Sequence, residues 1–170
     1  YVQLWAESLG KRDGLETTDI FNGPTPVASV GVTDQHSTMQ LYQDGRFDKV
    51  ITLVEVQRVL PEGENLPIAR GDCEDELSYL AGRGFEELFQ AELSATRRAL
   101  TDKSRPNLTL RIPEVSPWTL GEMFMFFEYA VAYSGSLYGV NTFDQPGVEL
   151  GKQYTYGLMG REGYSAPAQP

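Results

Sequence analysis

Residues 49–56, Lys-Val-Ile-Thr-Leu-Val-Glu-Val, form a nearly unbroken apolar and β-branched run. Such a run predicts a strand buried on both faces, as in a parallel sheet covered by helices rather than a half-wet antiparallel one. The residues downstream agree. Phe85, Leu88, Phe89, Leu93, Thr96, Ala99 and Leu100 recur at the spacing of one helix face over residues 85–103. Residues 107–112 then read as a second strand, closed by Pro113. A strand, a helix and a strand in succession make the unit that joins parallel strands.

The remaining segments extend this alternation. A helix is expected over residues 1–10, stopped by Gly10, followed by a turn-rich loop to Pro26. Val27 to Val32 reads as a short buried strand. Thr33 or Asp34 is expected to cap a helix running through His36, Met39 and Leu41 to Gly45. A loop at 60–71 and a short helix near 75–81 precede the break at Gly82-Arg-Gly84. Residues 119–133 are helical and apolar nearly all round, so they are expected to lie buried in a layer or an interface. A last strand falls within 135–141, and a final helix spans Pro146 to Met159, ahead of a tail expected to fray. The pattern predicts an α/β fold, a three-layer αβα sandwich on a mostly parallel sheet. Residues 1–146 would form the body of the domain, and residues 147–170 a C-terminal helix and tail of that same domain. Ligands gather at the carboxyl ends of strands in such sheets, which is where this reading puts His36 and Gln145.

Composition narrows the functions. The formal net charge of −10 argues against nucleic acid, because no basic stripe is present to neutralise phosphates. It leaves room for a phosphorylated sugar, which needs only a few local cations. Cys73 is the one cysteine, so neither an internal disulfide nor a thiolate metal cluster is expected, which suits a reducing, cytoplasmic setting. With one histidine and no clustered acidic motif, no metal site is expected. The most apolar stretch, Met123 to Ala132, is far shorter than the roughly 20 residues of a membrane span.

Three polar side chains then stand out. A helix opening after the capping groups Asp144 and Gln145, with Pro146 at its first position, carries Gln145, Glu149 and Lys152 at i, i+4 and i+7. An amide, a carboxylate and an ammonium on one face at a helix start suit a reaction or anion site. The plainer alternative is an i,i+3 surface pair between Glu149 and Lys152. Glu7, taken alone, is an ordinary solvated glutamate, although desolvation by Trp5 would tune it towards a general base. His36, taken alone, is a structural or exposed histidine.

The run Phe143-Asp-Gln-Pro-Gly-Val-Glu149, with Lys152 three residues further on, resembles the C-terminal signature of the glucose-6-phosphate isomerase (phosphoglucose isomerase) family at every fixed position. Trp5-Ala-Glu-Ser-Leu-Gly-Lys11 resembles that family's segment around its catalytic glutamate. Thr33-Asp-Gln-His-Ser37, with Gln40-Leu41 and Asp44-Gly45, resembles its histidine segment, and residues 107–113 extend the likeness over nearly the whole chain. The resemblance implies a sugar-isomerase α/β domain forming the C-terminal portion of a longer, homodimeric, cofactor-free enzyme that interconverts glucose 6-phosphate and fructose 6-phosphate. It implies that Glu7 is the catalytic base and that Gln145 holds the substrate. Lys152 would assist ring opening and steady developing charge, while His36 would assist ring opening from across the dimer interface. Glu149 would be structural. The family's Ser/Thr-rich phosphate loop and its Gly-Gly-Arg segment do not occur in these residues, so the chain by itself is expected to be inactive. The alternative is a non-catalytic sugar-phosphate-binding regulatory domain of the same fold, which would carry a phosphate loop and have no need of Glu7 or Lys152. A related isomerase of broader sugar specificity is a third reading.

Overall fold

In chain order the helices and strands are α1 (Val2–Leu9), α2 (Thr33–Asp44), β1 (Ile51–Arg58), α3 (Phe85–Asp102), β2 (Asn107–Glu114), α4 (Pro117–Tyr138) and α5 (Glu149–Leu158), with 3-10 turns at Arg70–Asp72, Asp75–Leu80 and Pro146–Val148. The computed structural model describes residues 1–72 and 75–168; Cys73, Glu74 and the last two residues of the tail lie outside them. Two units are present, one of residues 29–121 and one joining residues 1–28 to those from Glu122 onward.

In the first of these, β1 and β2 pair in parallel, in register from Ile51 opposite Asn107 to Arg58 opposite Glu114. The α/β class with a parallel sheet is therefore as expected, and α3 supplies the crossover between the strands. Among the described residues the sheet has two strands. The apolar run is accordingly not covered on both faces: Val54 is 43% exposed, and no residue of β1 is fully buried. Pro113 does not close β2 either. A strand at a sheet edge tolerates a residue without an N–H, and the pairing steps from Ile112 to Glu114 across it.

Helix α3 is tied to the sheet by polar as well as apolar contacts. Leu100 is fully buried, Gln90 donates to the carbonyl of Val56 at 2.7 Å, and Arg97 reaches the Glu55 carboxylate at 2.8 Å. Glu86 and Glu87 occupy the first turn, where negative charge complements the helix dipole. Arg105 donates to the carbonyls of Gln43 (2.6 Å) and Gly45 (2.9 Å), satisfying the end of α2.

The expected strand at Val27 to Val32 does not form. Val27 and Val30 are exposed, and the Val30 N–H is taken by the Asp34 carboxylate at 2.6 Å rather than by a ladder partner. That bond also withdraws Asp34 from capping. The N-cap of α2 is Val32, without a side-chain bond, and Gly45 ends the helix as expected.

Helix α4, whose first residues belong to the first unit and whose remainder belongs to the second, is longer than its apolar stretch suggested. Ser116 accepts the Thr119 N–H at 3.2 Å with Pro117 as the first helical residue, so a side-chain cap starts the helix early. It also ends late. Gly139 (φ +65) turns left-handed, its N–H bonds Ser136 at 3.2 Å, and the Val140 N–H bonds Gly135 at 2.9 Å. This pair of bonds is a Schellman closure, which needs a residue free of the Cβ penalty at the left-handed position. Helix and closure thus occupy residues 135–140, where a strand was expected. Among the described residues, no layer of this chain covers the aromatic side of α4: Phe124, Tyr129 and Tyr133 are each at least 60% exposed. One face alone is covered, where Val131 joins Leu9 and Val140 in a small core flanked by Leu4 and Trp5. Past α5, Arg161 lies over the rings of Tyr156 (4.5 Å) and Tyr164 (5.1 Å), which holds a tail expected to fray from Gly160. No helix among the described residues is long and apolar enough to cross a membrane.

Candidate functional site

Helix α1 forms because Leu4 and Leu9 supply an inward face, and the chain leaves helical geometry at Gly10. Glu7 lies on its last turns, half-buried. Its carboxylate accepts two amide donors: Gln3 Nε2 on Oε1 at 3.1 Å, and Gln145 Nε2 on Oε2 at 3.0 Å. The second bond spans 138 residues of sequence. Two of the four residues singled out from the sequence are thus in direct contact. Trp5 is not Glu7's neighbour on the helix face, since residues two apart point in different directions. Its indole instead donates to the Pro24 carbonyl at 2.8 Å and tilts against the Tyr1 ring.

The segment bearing Gln145 is fixed from both sides. The Asn141 side chain accepts the Phe143 N–H at 3.1 Å and donates to the Asp144 carboxylate at 2.8 Å, folding a tight polar turn. The turn sits close to α4: a Cβ on Gly135 would lie 1.9 Å from Thr142 Cγ2. Lys11, 5% exposed, extends from the end of α1 into the same place. Its ammonium donates to the carbonyls of Glu7 (2.8 Å) and Asp144 (2.5 Å) and lies 3.4 Å from the Asp144 carboxylate. The capping roles expected of Asp144 and Gln145 are therefore absent; Gln145 precedes the 3-10 turn without a side-chain cap bond.

Lys152 lies one turn into α5, and its ammonium pairs with Glu149 at 2.7 Å, both side chains more than half exposed. The hydrogen bond and charge of Glu149 raise the Lys152 pKa above its ordinary value. This is the i,i+3 pair that spacing allowed. Gln145 does not share it, because the 3-10 turn at Pro146–Val148 intervenes before α5 begins. His36 is exposed on the first turn of α2, in the other unit, and the strand expected just before it is missing. Among the described residues, no three His, Cys, Asp or Glu side chains converge as a metal ion would require.

Lys11 and Asn141 are the residues that sequence reasoning passed over. A lysine directly after a helix-stopping glycine is a signal for a cation placed on the last carbonyls of that helix. A buried ammonium with carbonyl and carboxylate partners, beside a carboxylate held by two amides, can set the positions of the Glu7 carboxylate and the Gln145 amide together.

The family model for phosphoglucose isomerase matches residues 1–162. The chain is 51% identical over 98% of its length to a glucose-6-phosphate isomerase of Rubrobacter xylanophilus, covering 36% of that protein. It is 45% identical over 99% of its length to the glucose-6-phosphate isomerase of Carboxydothermus hydrogenoformans, again covering 36% of it. The chain thus spans about a third of the length of the curated relatives it matches. Among solved structures it is similar to a hypothetical protein of Thermus thermophilus, with TM-score 0.84 and 38% identity over 94% of this chain and 37% of that one. It is also similar to a glucose-6-phosphate isomerase of Chlamydia trachomatis, with TM-score 0.73 and 26% identity over 94% of this chain and 31% of that one. The chain belongs to the phosphoglucose isomerase family.

Proposed function

We propose that this chain is the C-terminal catalytic portion of a glucose-6-phosphate isomerase, with residues 1–146 and 147–170 working as one sugar-isomerase domain. The observation that carries the reading is the bond between Gln145 and Glu7, which brings a carboxylate base and a substrate-directed amide together from opposite ends of the sequence.

In the proposed reaction Glu7 takes the C2 proton of the open-chain aldose and returns it at C1, through an enediol. The amides of Gln3 and Gln145 on the Glu7 carboxylate support this reading, in which the Gln145 amide would bond a sugar hydroxyl beside the base. Lys152, on an exposed and flexible stem, would approach the ring oxygen and steady charge as the ring opens. His36 would serve ring opening from a second subunit of a homodimer. The substrate's phosphate would be gripped by residues outside these 170, in a cytoplasmic enzyme using no cofactor.

The test is made on the full-length gene product, in deuterated water. It should interconvert glucose 6-phosphate and fructose 6-phosphate with wash-in of deuterium at the migrating position. Glu7→Gln should cut both turnover and wash-in by on the order of 10²–10⁴-fold, the usual loss for a removed general base. Wash-in at the wild-type rate in Glu7→Gln would show that another group moves the proton.

A further inference from the structure

The Lys11 ammonium is a positively charged group with a side chain only 3% exposed, and the reaction outlined above leaves it without a role. Burying an ammonium is costly unless its donors are met. Here two donors are met by carbonyls, of Glu7 at 2.8 Å and of Asp144 at 2.5 Å, and the charge is paired with the Asp144 carboxylate at 3.4 Å. All three lie on or beside the residues that matter most to the site. One belongs to Glu7's own main chain, and the other two come from the residue directly before Gln145. The main chain of Lys11 is fixed as well, paired with Asn22 by bonds of 3.0 and 2.8 Å, so the lysine cannot drift with either partner. Asn141 steadies the far side through the Asp144 carboxylate at 2.8 Å.

We infer that Lys11 is a positioning residue, a clamp that sets Gln145 against the Glu7 carboxylate by holding both main chains on one ammonium. The inference rests on the proposed roles of Glu7 and Gln145. Without the clamp, the Gln145–Glu7 bond is the remaining hydrogen bond between α1 and the turn at residues 141–145 among the described residues, and that bond must break or shift whenever the amide engages a sugar. With the clamp, the amide can leave the carboxylate and return to it without the turn moving. A displacement of about 1 Å at a reacting centre costs on the order of 10²-fold in rate. The clamp therefore acts on turnover more than on substrate capture, most of which falls to the phosphate grip elsewhere.

The experiment uses the full-length gene product with four variants: Lys11→Met, Gln145→Ala, their double variant, and Glu7→Gln as reference. Rates are expressed per folded molecule, and fructose 6-phosphate is the substrate. Lys11→Met should lower kcat by on the order of 10²-fold with KM little changed, and the same substitution should cost far less when Gln145 is already alanine. A merely structural lysine would lower the melting midpoint yet leave kcat per folded molecule intact, and its effect would be the same in both backgrounds. Either of those results overturns the inference. Should Lys11→Met fail to fold, Asp144→Asn takes its place. It removes a half-exposed carboxylate, keeps both carbonyls, and should give a smaller loss with the same dependence on Gln145. Wild-type kcat in Asp144→Asn then overturns the clamp. Glu7→Gln separates the two levels. An active Glu7→Gln enzyme sinks the functional reading and the clamp with it, whereas an inactive one beside a fully active Lys11→Met enzyme sinks the clamp alone.

Discussion

Gln145 and Lys152 stand at the two ends of one sequence signature, yet different forces hold them. Gln145 follows a turn stitched by Asn141, anchored by a buried lysine and packed against Gly135 of α4. Lys152 has the turn of its own helix and an exposed neighbour, Glu149. The first is placed by tertiary structure, the second by local spacing. Groups that must meet a substrate in a defined pose profit from the former, because an ordered side chain has already lost its rotamer freedom. A cation with the role proposed for Lys152 would profit from the latter. A motif read as one string of letters thus divides into a half held by tertiary contacts, the fixed half, and a half held by local spacing alone, the mobile half of the proposal.

The largest expected effect tests that division directly. In the full-length gene product, Lys152→Ala should lower turnover of cyclic glucose 6-phosphate by on the order of 10²–10⁴-fold, as for loss of a proton-handling group. Its melting midpoint should stay at the wild-type value, and an open-chain substrate analogue should lose much less. Gln145→Ala should lower turnover of cyclic and open-chain forms alike. Steady-state kinetics on both forms, together with calorimetry, measure this. A melting midpoint that drops in Lys152→Ala would place that residue in the fixed half.

A smaller effect is expected where the fixed half meets α4. Alanine at Gly135 would drive its Cβ to 1.9 Å from Thr142 Cγ2, and neither the helix nor the Schellman closure at Gly139 can yield cheaply. Overpacking of this kind typically costs about 1–3 kcal/mol. Gly135→Ala should therefore lower the urea midpoint by a corresponding amount. Adding Thr142→Ser, which removes Cγ2, should recover much of the loss, whereas Thr142→Ser in the Gly135 background should not stabilise. Failure of that rescue would mean the turn does not rest on α4.

Local chemistry is legible in the sequence, and partnership is not. The helical face of α3, the helix ending at Gly10, the helix ending at Gly45 and the pairing of Glu149 with Lys152 all depend on residues close in sequence, and periodicity or spacing exposes them. The two strands of the βαβ unit, 56 residues apart, are legible because each carries an apolar run. The segment Val27 to Val32 has the residues of a strand, but a strand exists only where another backbone pairs with it, and Asp34 takes the Val30 N–H instead. No strand forms at 135–141 because Gly139 closes a helix rather than leading into an extended run. Ser116-Pro117 is a helix start signal, and it outweighs the apolar stretch downstream in setting where α4 begins. At the site, Glu7 and Gln145 are each visible through the resemblance, but their contact is not. The burial of Lys11 is hidden too, since only the fold shows that carbonyls from two distant segments converge on its ammonium.

The smallest expected effect lies in the mobile half. The hydrogen bond from Lys152 to Glu149, then the carboxylate's charge, raise the lysine's pKa above its ordinary 10.5. A pKa raised on folding favours the folded state while the ammonium is charged. The contribution is complete below 10.5 and is lost as pH climbs through the folded-state value. Glu149→Gln should thus shift the NMR titration midpoint of Lys152, read in alkaline solution, downwards, while changing overall stability at neutral pH very little, because the pair is exposed to solvent. High salt should shrink the difference between the two titration curves. An unchanged midpoint in Glu149→Gln would mean that something other than this pair holds the ammonium. A marked loss of stability at neutral pH would mean that the Lys152 end is bound into the fold as firmly as Gln145, and the contrast between the two halves would disappear.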